Sequence, residues 1–228
     1  MIEHTVRQFD VDLQVLTNEI SKMGRLTERQ IVDAIDALLK HNAKLAQQVR
    51  VADAEIDVLQ REIESKSVDV IARRQPVAGD LRTIVGVLRI AIDLERIGDI
   101  AVNIAKRTEL LSNERWPKGT TIRLRKMVKL VIEQLQRVLD SYIRKDDAQA
   151  LDVWQKDEEI DALNVVIFRQ LLTYMLEDAR NISFGTQLIF CAKNIERVGD
   201  HATNIAESVY YIAHGTAVPG ERPKAGSV

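Results

Sequence analysis

The chain carries one stretch of sequence twice, and that restricts its fold more than any other feature. Residues 93–105 read DLERIGDIAVNIA and residues 194–206 read NIERVGDHATNIA, with eight of thirteen positions identical at an offset of 101. Further upstream, residues 53–57 (DAEID) match residues 157–161 (DEEID) at an offset of 104. The two offsets differ by three, so the halves share their order of elements and differ in one turn between them. Self-similarity of this kind marks a duplicated structural unit.

That unit is helical. Among 228 residues there are only 10 glycines and 4 prolines, and aromatic residues make up 4%. Apolar residues recur at spacings of three and four, as in Leu45, Val49, Ala52, Ile56, Leu59 and Ile63, which is the stripe of an amphipathic helix. The pattern predicts six helices at 5–40, 42–74, 78–112, 120–144, 147–178 and 182–214. Asn42, Asp146 or Asp147, and Asn181 or Ser183 are candidate N-caps. Pro76 and Gly79 mark the turn into the third helix. Helices of about thirty residues far exceed the usual 11–12 and call for bundle packing. The expected fold is therefore all-α, a duplicated pair of three-helix bundles. Residues 1–114 form the first and 120–214 the second. Trp116-Pro117-Lys118-Gly119 lies in the connection at 115–119, and 215–228 is a disordered tail.

The repeat has a period of its own. Ala91, Gly98 and Ala105 are seven apart, as are Ala192, Gly199 and Ala206. Seven residues return to nearly the same helix face. A helix-interior glycine costs about 0.5–1 kcal/mol relative to alanine. The same cost at two equivalent positions predicts close helix approach there.

Like charges four apart on a helix repel. The chain has four such acidic pairs, Asp53/Asp57, Glu95/Asp99, Asp157/Asp161 and Glu196/Asp200, and all four fall at repeat-equivalent positions. Elsewhere acid is followed by base at this spacing, as in Asp36/Lys40 and Glu62/Lys66. On a helical wheel Glu95 and Asp99 align with Leu81, Leu88 and Ile92, so the expectation is two carboxylates on an apolar face. Ionised carboxylates there need a counterpart. One candidate is a divalent or trivalent cation with oxygen ligands: Mg²⁺, Mn²⁺, Ca²⁺ or iron, with Zn²⁺ less suited. Asn103 and Asn204 are candidate further oxygen donors. The other candidate is a salt-bridge network with Arg96 and Arg197, with Lys193 beside Glu196. The absence of Glu-x-x-His from these pairs argues against a ferritin-like di-iron oxidase. His201 points away from the pairs and reads as structural.

Several function classes find no support. The net charge of −2 lacks the basic excess of a nucleic-acid binder. The single cysteine, Cys191, allows no internal disulfide and reads as a buried small hydrophobe. The longest uncharged run, residues 208–220, is shorter than the roughly 18 residues of a membrane span. The first residues lack the basic and apolar segments of a signal peptide. A cytoplasmic protein, touching membrane complexes only peripherally, is expected. The basic run Arg115, Lys118, Arg123, Arg125, Lys126 and Lys129 reads as a solvated face. No phosphate-binding loop, nucleophile elbow or paired-cysteine motif occurs, so no enzyme is expected.

Three segments resemble the PhoU family of bacterial phosphate-uptake regulators: residues 75–82 (QPVAGDLR), 95–99 (ERIGD) and 193–207 (KNIERVGDHATNIAE). The resemblance implies two three-helix bundles and metal bound by E(D)-x-x-x-D motifs, here Asp53, Asp57, Glu95, Asp99, Asp157, Asp161, Glu196 and Asp200. It implies negative regulation of phosphate uptake and of the phosphate-starvation regulon. The implied partners are a sensor histidine kinase and the ATPase subunit of the phosphate ABC transporter, with a homodimer or larger oligomer as the assembly and no nucleic acid. Two other readings stand beside it, a metal-dependent phosphate-ester hydrolase and a metal-free helical adaptor.

Overall fold

The computed structural model describes residues 2–111 and 120–222, with side chains from residue 8 onward. Seven α-helices follow one another: α1 (Ile2–Leu39), α2 (Ala43–Arg74), α3 (Gly79–Leu111), α4 (Thr120–Arg144), α5 (Asp147–Gln155), α6 (Glu158–Glu177) and α7 (Ile182–His214). The fifth rod expected from the sequence is interrupted at Lys156 and Asp157, so α5 and α6 together take the place that α2 holds in the first half. A short 3₁₀ turn, Ala179–Asn181, leads into α7. The connection at Trp116 to Gly119 lies outside the described residues.

Each half is a bundle of three rods, α1–α3 and α4–α7. The α1 core stripe is Leu16, Ile20, Met23, Ile31 and Leu38, each at most 1% exposed. Burying each such side chain contributes about 1.5–3 kcal/mol. On α2 the buried stripe is Ala46, Val49, Ile56, Leu59, Ile63 and Val70, while Ala52 is exposed.

The first turn of each half repeats. His41 and Lys145, 104 apart, both adopt left-handed backbone, with φ of 54° and 55°. Each is followed by a capping side chain. Asn42 Oδ1 accepts from Leu45 N at 3.1 Å, and Asp146 Oδ1 accepts from Gln149 N at 2.9 Å. Such caps satisfy otherwise orphaned amide groups. The turns into α3 and α7 differ, as the three-residue change of offset requires. Gln75 and Ala78 take positive φ around Pro76. In the second half Asn181 makes no capping bond and instead donates its amide to Tyr174 O at 3.0 Å.

The two bundles meet through α1 against α4 and α3 against α7. α3 and α7 run antiparallel. Gly86 faces Ile212, and the Arg89 guanidinium lies 4.9 Å from the centre of the Tyr211 ring. At the other end Arg107 donates to Gln187 at 2.6 Å and sits 4.4 Å from the centre of the Phe190 ring. Between these contacts Asp93 Oδ1 accepts from His201 Nδ1 at 2.8 Å and Asn204 Nδ2 at 3.2 Å. His201 is therefore an interface residue. The amide nitrogen of Asn204 is committed across the interface to α3, and this bond leaves its amide oxygen uncommitted.

The segment expected to be disordered at 215–228 is placed as far as Arg222. Gly215 ends α7 with φ +74° and donates to Tyr211 O at 2.8 Å. Val218 packs on the core, and Arg222 reaches back to Asp157, at the break between α5 and α6, and to Asp200 of α7. Residues 223–228 lie outside the described residues.

Candidate acidic clusters

The packing brings each second-rod pair beside the third-rod pair of the same half. In the first half Asp53, Asp57 and Asp99 lie within electrostatic range of one another, as do Glu95, Asp99, Asp57 and Asp53. In the second half Asp161 is similarly placed against Asp157, Asp200 and Glu196. All eight sequence-predicted carboxylates therefore gather into two clusters, one per bundle.

Glycine makes the approach possible. A Cβ on Gly98 would stand 3.1 Å from Asp53 Oδ1, 3.1 Å from Gln30 Oε1 and 3.4 Å from Ile56 Cδ1. A Cβ on Gly199 would meet the equivalent atoms, Gln134 Oε1 at 3.1 Å, Ile160 Cδ1 at 3.2 Å and Asp157 Oδ1 at 3.4 Å. The heptad-spaced glycines are thus packing sites, and they let the second rod bring its carboxylate against α3 or α7.

Two residues that the sequence reading missed hold these carboxylates. Gln30, 4% exposed, donates its amide to Asp53 Oδ1 at 2.9 Å and to Val49 O at 3.3 Å. Gln134, 6% exposed, does the same to Asp157 Oδ1 at 3.4 Å and Val153 O at 3.3 Å. They are 104 apart, the offset already seen in the DxEID pairs, so extending that repeat upstream finds them. Each amide orients one carboxylate through its Oδ1.

The environment disfavours ionisation. Burial, with repulsion from Asp57 and Asp99, raises the Asp53 pKa against the lowering hydrogen bond from Gln30. Burial and Asp99 raise that of Glu95. In the second cluster burial and Asp157 raise Asp161, and burial raises Glu196 despite Lys193. The face of α3 that carries Glu95 and Asp99 is not core, however. Leu81 and Ile92 are 38% and 49% exposed, because α3 turns Ile84, Val87, Ala91, Leu94 and Ala101 inward instead. Glu95 and Asp99 therefore sit at the edge of the bundle, 24% and 47% exposed in their side chains.

The built-in cations differ between halves. Arg96 lies 3.5 Å from Glu95 and 3.1 Å from Asp99, but the pairs are partly exposed, where an ion pair contributes about 0–1 kcal/mol. In the second cluster the ion pairs run to Lys193 and Arg222. Lys193 Nζ stands 2.6 Å from Glu196. Arg222 donates to Asp157 Oδ2 from Nε at 3.1 Å and Nη2 at 2.5 Å, and to Asp200 Oδ1 from Nη2 at 2.7 Å.

Both clusters offer only carboxylate oxygens, the donor set of hard cations. A cation would offset the repulsion that adds to burial in raising these pKa values. Among the described residues, no three His, Cys, Asp or Glu side chains converge closely enough to hold a metal ion as they stand. The fit is therefore one of charge and donor chemistry, and coordination requires the exposed carboxylates to turn inward.

The raised values fix a direction with pH. A carboxylate with a raised folded pKa contributes stability that is complete below its unfolded value, near 3.8 for Asp53 and 4.5 for Glu95. That contribution is lost as pH rises through the raised folded value. Glu95→Gln in chelator-treated protein is therefore expected to raise the melting temperature at neutral pH by about 1–2 °C, from relief of roughly 0.5 kcal/mol of repulsion. The gain should vanish as pH falls through the carboxylate range. Thermal melts at a series of pH values check this; destabilisation at neutral pH would contradict it.

Cys191 is fully buried, and burial pushes its thiol up to about 12, so it is no nucleophile. In the basic run Arg123 bonds Gln170 at 2.8 Å and Lys126 pairs with Glu159 at 3.1 Å. Arg115 and Lys118 lie outside the described residues. No helix among the described residues is long and apolar enough to cross a membrane.

The comparisons with known proteins follow the duplication. The model of the PhoU domain matches twice, at residues 20–108 and 124–209. A Rhizobium meliloti protein named phosphate-specific transport system accessory protein PhoU homolog is 47% identical over 97% of this chain and 93% of its own length. A Caulobacter vibrioides protein of the same name is 45% identical over 98% and 97%. The crystal structure of PhoU from Pseudomonas aeruginosa superposes with a TM-score of 0.88 at 40% identity, covering 91% of this chain and all of that one. The phosphate transport system regulatory protein PhoU from Streptococcus pneumoniae gives a TM-score of 0.86 at 27% identity, covering 92% and 99%. These relatives are named for accessory or regulatory roles, not for enzymatic ones. With both halves matched and the relatives aligned nearly end to end, the chain belongs to the PhoU family.

Proposed function

We propose that the chain is a negative regulator of phosphate uptake and of the phosphate-starvation regulon. It acts as a helical adaptor between the ATPase subunit of a phosphate ABC transporter and a sensor histidine kinase, on the cytoplasmic side of the membrane. The observation that carries this reading is the family match along both halves, with relatives named as phosphate-specific transport system accessory proteins. The helices supply long surfaces for two partners at once. With no membrane-spanning helix among the described residues, contact with a membrane complex is peripheral.

The same reading gives the acidic clusters a hard cation: Mg²⁺, Mn²⁺, Ca²⁺ or iron. Asp53, Asp57, Glu95 and Asp99 would hold it in the first bundle, and Asp157, Asp161, Glu196 and Asp200 in the second. Its charge would brace the second rod against the third where repulsion now opposes their contact.

Capture of the transporter's ATPase subunit and of the kinase's cytoplasmic portion by the purified protein tests the adaptor. Both are expected to bind, with binding weakened by complete chelation and restored by Mn²⁺. Capture of neither would overturn the adaptor reading. Unchanged capture after complete metal removal would sink the metal brace alone.

A further inference from the structure

The two acidic clusters are sequence repeats but not electrostatic ones. The difference comes from outside the repeat, from the segment that follows α7. Asp157 is the most deeply placed carboxylate of the eight, its side chain 3% exposed. Its Oδ1 accepts from Gln134 at 3.4 Å and Thr203 at 3.3 Å. Its Oδ2 is taken by Arg222 alone, through Nε and Nη2. The same guanidinium bridges to Asp200 on α7, so it joins the second and third rods of the bundle where a bound cation would. The Arg222 side chain is 17% exposed.

Among the described residues, no guanidinium bridges the second and third rods at the first cluster. Asp53 has Gln30 on Oδ1, but position 102, equivalent to Thr203, is Val102, and the third rod of that half ends at Leu111. The segment between Gly215 and Arg222 is held by the αL cap at Gly215, by Val218 on the core and by this guanidinium. Apart from Val218, the segment is made of polar and small residues and Pro219.

We infer that residues 215–222 are a strap whose Arg222 is the intramolecular counter-cation of the second acidic cluster, and that divalent cations and the strap compete for Asp157 and Asp200. Metal binding at the second cluster releases the strap, and strap closure keeps that cluster from metal. The first cluster, which no described segment straps, loads independently. The competition half of this inference rests on the reading of the clusters as cation sites, whereas the strap contact itself does not.

A site blocked part of the time loses apparent affinity in proportion to its open fraction, so a strap closed nine-tenths of the time weakens binding about tenfold. The test uses full-length protein stripped of metal and titrated with Mn²⁺ by calorimetry, in a background carrying Asp53→Asn and Glu95→Gln to silence the first cluster. Arg222→Ala in that background is expected to bind Mn²⁺ at least about tenfold more tightly than its parent. Arg222→Lys should fall between, since a lysine keeps the charge but not the two-pronged geometry. Equal Mn²⁺ affinity with and without Arg222, including no binding in either, would overturn the competition. The wild type against the silenced parent separately scores the first cluster, so failure of the general metal reading is seen on its own. Amide hydrogen exchange at residues 216–222 reads the strap without metal. Asp157→Asn should raise it, and unchanged exchange would overturn the strap contact.

Discussion

Valine in place of Gly98 or Gly199 is expected to destabilise the fold by about 1–3 kcal/mol, whereas alanine at either position leaves stability close to that of the parent. The Cβ of alanine would stand 3.1 Å from Gln30 Oε1 and Asp53 Oδ1, or from Gln134 Oε1 in the second half. That distance asks a neighbour to give a few tenths of an ångström. The gain of about 0.5–1 kcal/mol in helix propensity offsets the shift. Valine adds two methyl groups into the same gap, against side chains already fixed by hydrogen bonds to Val49 O and Val153 O, and overpacking costs about 1–3 kcal/mol. For a chain of this size the melting temperature should fall by roughly 2–4 °C per kcal/mol. Circular-dichroism melts of the four variants check this. Equal melting temperatures for alanine and valine would mean that the second rods do not approach the third as closely as described.

The second large effect concerns the joint between the bundles. Asp93→Ala removes the acceptor shared by His201 and Asn204 and leaves both polar groups without it at the α3–α7 interface. An unsatisfied buried polar group costs about 1–3 kcal/mol. The repeat places Asn194 at the equivalent position of α7, so this polar contact of the joint is asymmetric, with Asp93 as its one carboxylate acceptor. A double-mutant cycle between Asp93→Ala and His201→Ala should give a coupling of about 0.5–3 kcal/mol. Additive losses would show that the pair does not hold the interface.

The helices were legible because amphipathic periodicity and caps such as Asn42 and Asp146 are local properties. The interruption at Lys156–Asp157 was not. Residues 147–178 keep a helical pattern, and the break coincides with the burial of Asp157 among Gln134, Thr203 and Arg222, which are distant in sequence. The four acidic pairs were legible as a duplicated feature, and their clustering follows from the repeat. Their depth was misjudged. α3 has two apolar stripes, and only docking against α1, α2 and α7 decides that the one with Ile84, Val87 and Leu94 faces inward while Leu81 and Ile92 stay exposed. Arg222 was hidden for a different reason. Its neighbours 215–221 carry the glycine and proline of an unstructured tail, and its role depends on a carboxylate 65 positions away. Gln30 and Gln134 are within reach of the sequence, because the offset of 104 that relates the DxEID segments also relates them.

The most direct test of regulation is alkaline phosphatase activity in a strain deleted for this gene and grown in phosphate-rich medium. The account predicts high activity, returned to the repressed level by the intact gene. Activity that stays repressed after deletion, with no second PhoU-family gene in the strain, would contradict it.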